Sequence, residues 1–357
     1  MNNKKILVDI GHPAHIHYFK NLATILSAKG YDFLFVVRER EATIDLIKQT
    51  GFNYISRGKG SNGLLGKFYY MIKIDFKIYQ IARRFMPDLF LSFSSPYAAH
   101  VAFWMKKTHI AVDDTEHAKL EHLLYRPFTD VILSPSVYKG KKNKKQLFFD
   151  AYLELCYLHP NYFTPDCSVV KEIGIHEEEK YVVLRFVSWD ASHDVGIKGF
   201  SVNEKIKMVK TLEQYCRVFI SSERPVPKEL EKYLLKAHPS KFHDILNNAS
   251  LHVGEGATTA SESAVLGVPA IYTNTLYASN CADEEKYGLL YQVSDCDDVI
   301  TEAVKLLKEE TNIYSERRRM LLADKIDPTA FFVWFIMNYP ESKEIIKKDP
   351  TYQNRFK

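Results

Sequence analysis

Short apolar runs alternate with longer stretches of helical periodicity along most of this chain. The runs at 6–10, 33–37, 89–93, 109–112 and 131–133 are strand-like. Between them, 18–28 and 42–48 read as helices, the second stopped by Gly51. Residues 64–85 keep a helical period up to Pro87 and carry many aromatic and basic side chains. The pattern turns irregular over 155–179, with Pro160 and Pro165, as a linker does. A second series follows: strands at 181–186, 218–221 and 289–293, and helices at 203–215, 228–236 and 297–308. Residues 329–337 are apolar on all sides and predict a buried helix packed across both domains. Strands alternating with helices predict an α/β chain with parallel sheets covered on both faces. The predicted domains are 1–155, a linker at 156–178, 179–328, and a terminal helical segment at 329–357 that crosses back to the first domain.

Within the second series, 251–274 has the most distinctive pattern. An apolar run ends in a small, hydroxyl-rich loop; an Ala-rich helical pattern follows, is stopped by Gly267 and leads through Pro269 into another apolar run. The elements are strand, glycine loop, short helix and strand. Such a loop leaves backbone N–H groups unpaired at the positive end of a helix, which suits a phosphate. Thr258, Thr259 and Ser261 add hydroxyls, and Glu262, about one turn into the helix, can accept two sugar hydroxyls. The alternative is a tight turn with Glu262 on a solvated face.

At 357 residues the chain is long enough for two cores, and 46% hydrophobic with 26% charged residues is the composition of a folded protein. A net charge of +4 gives no reason to expect nucleic acid as a partner. Cys156, Cys167, Cys216, Cys281 and Cys296 are scattered, without zinc spacing, and suit a reducing cytoplasm. The N-terminal apolar segment is too short for a signal peptide, and no window reaches the roughly 20 apolar residues of a membrane span. The lysine run at 139–145 reads as a solvated loop, with anionic lipid or polymer as the alternative.

Chemistry-bearing residues gather at predicted strand ends, where parallel sheets bind ligands. The first strand runs into Gly11-His12-Pro13-Ala14-His15-Ile16-His17. Pro13 and the helix start splay these histidines, which favours a base or hydrogen-bond donor over a metal site. His15, just inside the helix, is held neutral by the dipole; the alternative is a capping or packing histidine. The fourth strand ends in Asp113-Asp114-Thr115-Glu116-His117. These carboxylates can orient sugar hydroxyls or serve as acid and base, with repulsion raising one pKa; a helix cap is the alternative for Asp114. Arg185, followed by Ser188 and His193, can face a diphosphate, with a surface salt bridge as the alternative, and Ser221 and Ser222 end the next strand similarly. Asp295-Cys296-Asp297 is read as an N-cap rather than a metal–nucleotide motif. A P-loop and a GxGxxG after the first strand are both lacking.

Taken together, the glycine loop, Ser261-Glu262 and Gly267-Val268-Pro269 resemble the donor motif of GT-B glycosyltransferases. The lipid II N-acetylglucosaminyltransferase and the non-hydrolysing UDP-N-acetylglucosamine 2-epimerases are the nearest analogues. His15 keeps the transferase histidine's spacing to the glycine before strand two, and the 113–116 cluster falls where those enzymes carry His-Glu or His-x-Glu-Ala. Gly-His-Pro-Ala-His at 11–15, Asp-Asp-Thr-Glu-His-Ala at 113–118 and Ala-Ser-His-Asp at 191–194 are similar to an uncharacterised prokaryotic family related to these enzymes. Two departures stand out. Glu255 occupies a position usually small, where its charge would repel a diphosphate unless it points away. Asp-Ile-Gly-His-Pro replaces the transferase's glycine-rich run.

The resemblance implies a GT-B-like fold, two Rossmann-like domains facing a central cleft. It implies a metal-independent glycosyltransferase of surface polysaccharide synthesis, with no cofactor beyond a UDP-sugar donor. The acceptor would be a glycan or a lipid-linked molecule. Gly254, Gly256, Thr258 and Thr259 would hold the diphosphate with Arg185, Ser188, His193 and Ser222, and Glu262 would bind the ribose. Phe242 or His243, placed in a loop, would lie against the base. His15, Asp114 and Glu116 would be catalytic, and His12, Asp113 and His117 would line the acceptor or sugar side. A UDP-sugar 2-epimerase or hydrolase is the alternative, and a non-catalytic binding protein is the third reading. The helix at 64–85 and the lysine loop suggest peripheral contact with the inner membrane face.

Overall fold

The structure, a computed structural model, describes residues 4–40, 43–60, 64–176, 179–187, 199–222 and 224–357, without the side chains at 64, 65, 67 and 68. The chain divides into two compact units, Met1–Tyr157 with Ile326–Lys357, and Leu158–Lys325.

The first unit is built on β1 (Lys5–Ile10), β2 (Asp32–Arg38), β3 (Tyr54–Gly58), β4 (Leu89–Phe93), β5 (Thr108–Val112), β6 (Val131–Pro135) and β7 (Gln146–Phe149). They form a seven-stranded sheet in the order β3-β2-β1-β4-β5-β6-β7, parallel throughout. Leu7, Val8, Phe35, Val36, Phe90 and Ile110 are essentially inaccessible, so both faces are covered. The covering helices are α1 (Pro13–Ser27), α2 (Thr43–Gln49), α3 (Leu64–Phe85), α4 (Pro96–Trp104) and α5 (Lys119–Tyr125). His12 caps α1 and Ser95 caps α4, each followed by a proline whose fixed φ suits the first helical position.

From α6 (Leu155–Leu158) the chain enters the second unit. There follow α7 (Val169–Glu172), β8 (Tyr181–Phe186), α8 (Val202–Leu212), β9 (Arg217–Ser222), α9 (Phe242–Asn247) and β10 (Leu251–Gly254). Then come α10 (Ala257–Leu266), β11 (Ala270–Tyr272), α11 (Ser279–Glu284), β12 (Leu290–Gln292), α12 (Cys296–Lys308) and α13 (Asn312–Asp324). The sheet is parallel in the order β12-β11-β10-β8-β9. Asp295 caps α12 by accepting from the N–H groups of Asp297 and Asp298, the role read from its spacing. The helix expected at 228–236 is instead a 3-10 segment, Lys228–Tyr233.

The terminal helices α14 (Pro328–Met337) and α15 (Glu341–Lys348) belong to the first unit. Phe331 and Phe332 of α14 pack on Phe149 with ring centres 6.2 and 5.0 Å apart, and Thr329 Oγ1 donates to the Cys156 carbonyl at 2.9 Å. Among the described residues, no helix is long and apolar enough to cross a membrane.

Candidate functional site

In the second unit the strand order reverses between β8 and β10, whose ends pair as Arg185 with Gly254. Open parallel sheets bind ligands in the crevice beyond such strand ends. A Cβ on Gly254 would lie 2.6 Å from His252 Nε2, so the strand end needs glycine. Gly256 is the N-cap of α10, and among the described residues no side chain caps that helix; its positive end opens at the strand ends beside Thr258, which is exposed, and Thr259, which is buried. Arg185 Nη1 donates to Ser221 Oγ at 2.8 Å, and its guanidinium lies 5.7 Å from the Phe242 ring centre. Glu262, only 7% exposed, meets His243 Nε2 through Oε1 at 3.0 Å. An ionised Glu262 only accepts, so the hydrogen lies on the imidazole. A cation, a helix N-terminus without a side-chain cap among the described residues, and a carboxylate thus share one crevice. The set suits a phosphate group next to vicinal hydroxyls.

Several expectations change here. Phe242 and His243 open α9 rather than sitting in a loop, and His243 orients Glu262. The hydroxyl of Ser222 closes its own turn, donating to the Arg224 carbonyl at 2.7 Å, and Ser221 is the partner of Arg185. Glu255 is 2% exposed and turned into the protein, accepting from Val187 N at 3.0 Å and Phe200 N at 2.9 Å. Two backbone donors meet its charge, which answers the objection from its sequence position. Val187 and Phe200 bracket 188–198, so Ser188 and His193 lie outside the described residues. His252 gave no sequence signal. Its Nδ1 faces the Val183 carbonyl at 3.0 Å, and burial with Arg185 nearby pushes its pKa down to about 4.

The first sheet reverses between β1 and β4. His12 Nδ1 accepts from Ala14 N at 3.3 Å, so it is a capping residue. His15 Nδ1 accepts from Gly11 N at 3.3 Å, and its ring lies 4.5 Å from that of Phe93. Burial, with positive charge from His12, Arg57 and Arg40, holds His15 well below the usual imidazole range. It is therefore neutral, as expected, with burial as the main cause. With Nδ1 accepting, its hydrogen sits on Nε2. Behind it, Asp9 is fully buried, paired with Arg57 Nε at 2.9 Å and accepting from Ser95 Oγ at 2.5 Å. Ser94, at the end of β4, has φ +46°, a strained conformation of the kind found at ligand sites. Pairings of this kind join distant segments, and only the fold reveals them.

At the end of β5, Asp113 is fully buried. Tyr125 Oη donates to it at 2.5 Å, Arg126 Nη2 at 3.2 Å and Thr115 N at 3.1 Å, and His122 Nε2 lies 3.0 Å away. Burial works to raise this carboxyl, but His122, Tyr125 and Thr115 outweigh it and hold the pKa low. Asp113 is thus spent on fixing the loop rather than lining a sugar site. Asp114 caps no helix, since α5 begins at Lys119 with Ala118 as N-cap. It is partly accessible, and burial, with repulsion from Asp113 and Glu116, raises its pKa to about 7. Glu116 and His117 follow on the same loop, His117 exposed. The described residues contain no His/Cys/Asp/Glu group arranged to hold a metal ion.

Comparison with solved structures identifies the fold. A UDP-GlcNAc 2-epimerase from Neisseria meningitidis, solved with UDP-GlcNAc, is similar at a TM-score of 0.67 and 13% identity over 93% of this chain and 99% of that one. The glycotransferase of kitacinnamycin is similar at a TM-score of 0.62 and 13% identity over 94% and 99%. A UDP-GlcNAc 2-epimerase from Methanocaldococcus jannaschii gives 0.62 and 12% over 86% and 94%. The fold is GT-B-like, with two Rossmann-like units, as the sequence resemblance implied. In sequence, an uncharacterised protein of Methanocaldococcus jannaschii is 23% identical over 354 residues, 95% of this chain and 99% of that protein. The model of the family described as "Protein of unknown function (DUF354)" matches residues 4–341, and the chain belongs to that family.

Proposed function

We propose that this protein binds a nucleotide-sugar, with UDP as the nucleotide, at the β8–β10 crevice and transfers the sugar to a hydroxyl of a glycan or lipid-linked acceptor in surface polysaccharide synthesis. The carrying observation is the convergence of Arg185, the N-terminus of α10 and Glu262 on one pair of strand ends. The diphosphate lies against the helix amides and Arg185, the ribose hydroxyls against Glu262, and the base against Phe242. Transfer breaks the bond between the anomeric carbon and the diphosphate oxygen. The charge that builds on that oxygen is stabilised by the amides and the guanidinium, dipoles already in place.

The first unit supplies the acceptor side. His15 offers Nε2–H as a donor, and it takes a proton there only if the Gly11 bond to Nδ1 is released. Asp114, ionising near neutrality, is the better-poised base for the acceptor hydroxyl. The same carboxyl supports the second reading, epimerisation or hydrolysis of the nucleotide-sugar. There it exchanges a proton at the sugar ring and no acceptor is needed.

Incubation with UDP-sugars separates the readings. UDP released only when a glycan or lipid acceptor is added supports transfer, and conversion without acceptor supports the second reading. Saturable binding without turnover, unchanged by His15→Ala and Asp114→Asn, makes the protein a binder. Failure to bind any nucleotide-sugar removes the proposal.

A further inference from the structure

The inward face of α3 carries Ile74, Ile78 and Ala82, all buried in the core of the first unit. The helix also displays apolar groups on its outer face, where that core makes no use of them. Tyr69, Ile72 and Phe76, spaced to share one face, are 71%, 54% and 61% exposed. Phe103 and Trp104 of the adjoining α4 are 58% and 53% exposed. Ile72, Phe76, Tyr79 and Trp104 line a shallow pocket of about 350 Å³, so the two helices form one continuous surface. Cations border it: Lys73, Arg83, Arg84 and Lys106 are exposed. The acid of α3, Asp75, is buried against His100 at 2.9 Å, and Asp88 nearby is paired with Lys107 at 3.6 Å.

We infer that the α3–α4 face docks on the surface of a bilayer containing anionic phospholipid. Charge complementarity selects this occupant. A second copy of the chain meeting the face about a two-fold axis would set its cationic rim against itself. Lipid phosphates neutralise the rim, the aromatic rings match the headgroup level, and Ile72 and Phe76 enter the acyl boundary. In the lysine loop Lys139, Lys141, Lys142 and Lys144 are exposed and Lys145 is not. Lys145 Nζ is turned inward, donating to the carbonyls of Arg126, Pro127 and Thr129 at 3.2, 2.8 and 2.6 Å. None of the docking residues belongs to the proposed nucleotide-sugar site, so the inference stands or falls separately from the proposed function.

The test is co-sedimentation of the full chain with phosphatidylcholine vesicles, with and without roughly a quarter phosphatidylglycerol. Binding is expected only with phosphatidylglycerol, weakening as salt rises from about 0.05 to about 0.5 M. Lys73→Glu with Arg84→Glu should weaken it on the order of 30-fold or more, at about one Lys or Arg contact each. Ile72→Ser with Phe76→Ser should abolish binding at unchanged melting temperature, since both side chains are exposed. Absence of binding to the phosphatidylglycerol vesicles, equal binding to the vesicles without it, or wild-type binding by either variant would overturn the inference. A dimer in sedimentation velocity that the serine variant dissolves would assign the face to a second copy and overturn it too.

Discussion

Asp114 and Glu284 hold their protons to about pH 7 and about pH 8, burial being the first cause for each. In the unfolded chain such carboxyls ionise near ~4. Between ~4 and those values the native state retains a proton that the unfolded state has lost, so each group's contribution to stability declines as pH rises through that window. Removing the charge should remove the decline. Asp114→Asn should gain melting temperature relative to wild type between pH 5 and pH 8 while turnover falls on the order of 100-fold or more. Thermal melts at the two pH values, paired with the UDP-release assay, check this; an unchanged turnover would leave Asp114 a structural carboxyl. Glu284→Gln should show the same pH-dependent gain, because its carboxyl accepts from Ser261 Oγ beneath α10 rather than facing the crevice. Retained UDP release in Glu284→Gln, against its loss in Asp114→Asn, would confirm that the two acids differ in role.

The β10–α10–β11 element rests on a few local choices with different costs. Gly267 ends α10 at φ +82°, and a Cβ there would lie 2.8 Å from Arg318 Cδ, so Gly267→Ala should destabilise by about 1 kcal/mol or more. Gly256 has a β-region backbone, and among the described residues its Cβ would meet only Val187 Cγ1 at 3.3 Å; Gly256→Ala should cost less in denaturant titrations. Glu255→Gln would turn an amide donor toward one of the two backbone N–H groups that Glu255 now accepts, costing about 1–3 kcal/mol. An unchanged midpoint would contradict the inward placement of that carboxylate. Much of this element was legible in advance, because glycine, proline and an apolar run act through their own backbone. Edge strand β3 was not: only Arg57 among its residues is buried, so no apolar run marks it. Helix α4 is almost wholly apolar and shows no helical period. The pairings of Glu262 with His243 and of Glu255 with Val187 and Phe200 span 19, 68 and 55 residues, and no local spacing encodes them.

At the scale of the molecule, each unit gathers its chemistry where its strand order reverses: Arg185 and Gly254 in one, His15 and Ser94 in the other. Two doubly wound sheets therefore yield two crevices, and the donor is assigned to the second. The most direct test of that assignment is a calorimetric titration of the full chain with UDP. Saturable one-to-one binding is expected, weakened about 10–100-fold in Glu262→Ala through loss of a charged hydrogen-bond acceptor. His15→Ala, in the other unit, should bind UDP like the wild type. No saturable binding of UDP, or Glu262→Ala binding as tightly as wild type, would contradict the account.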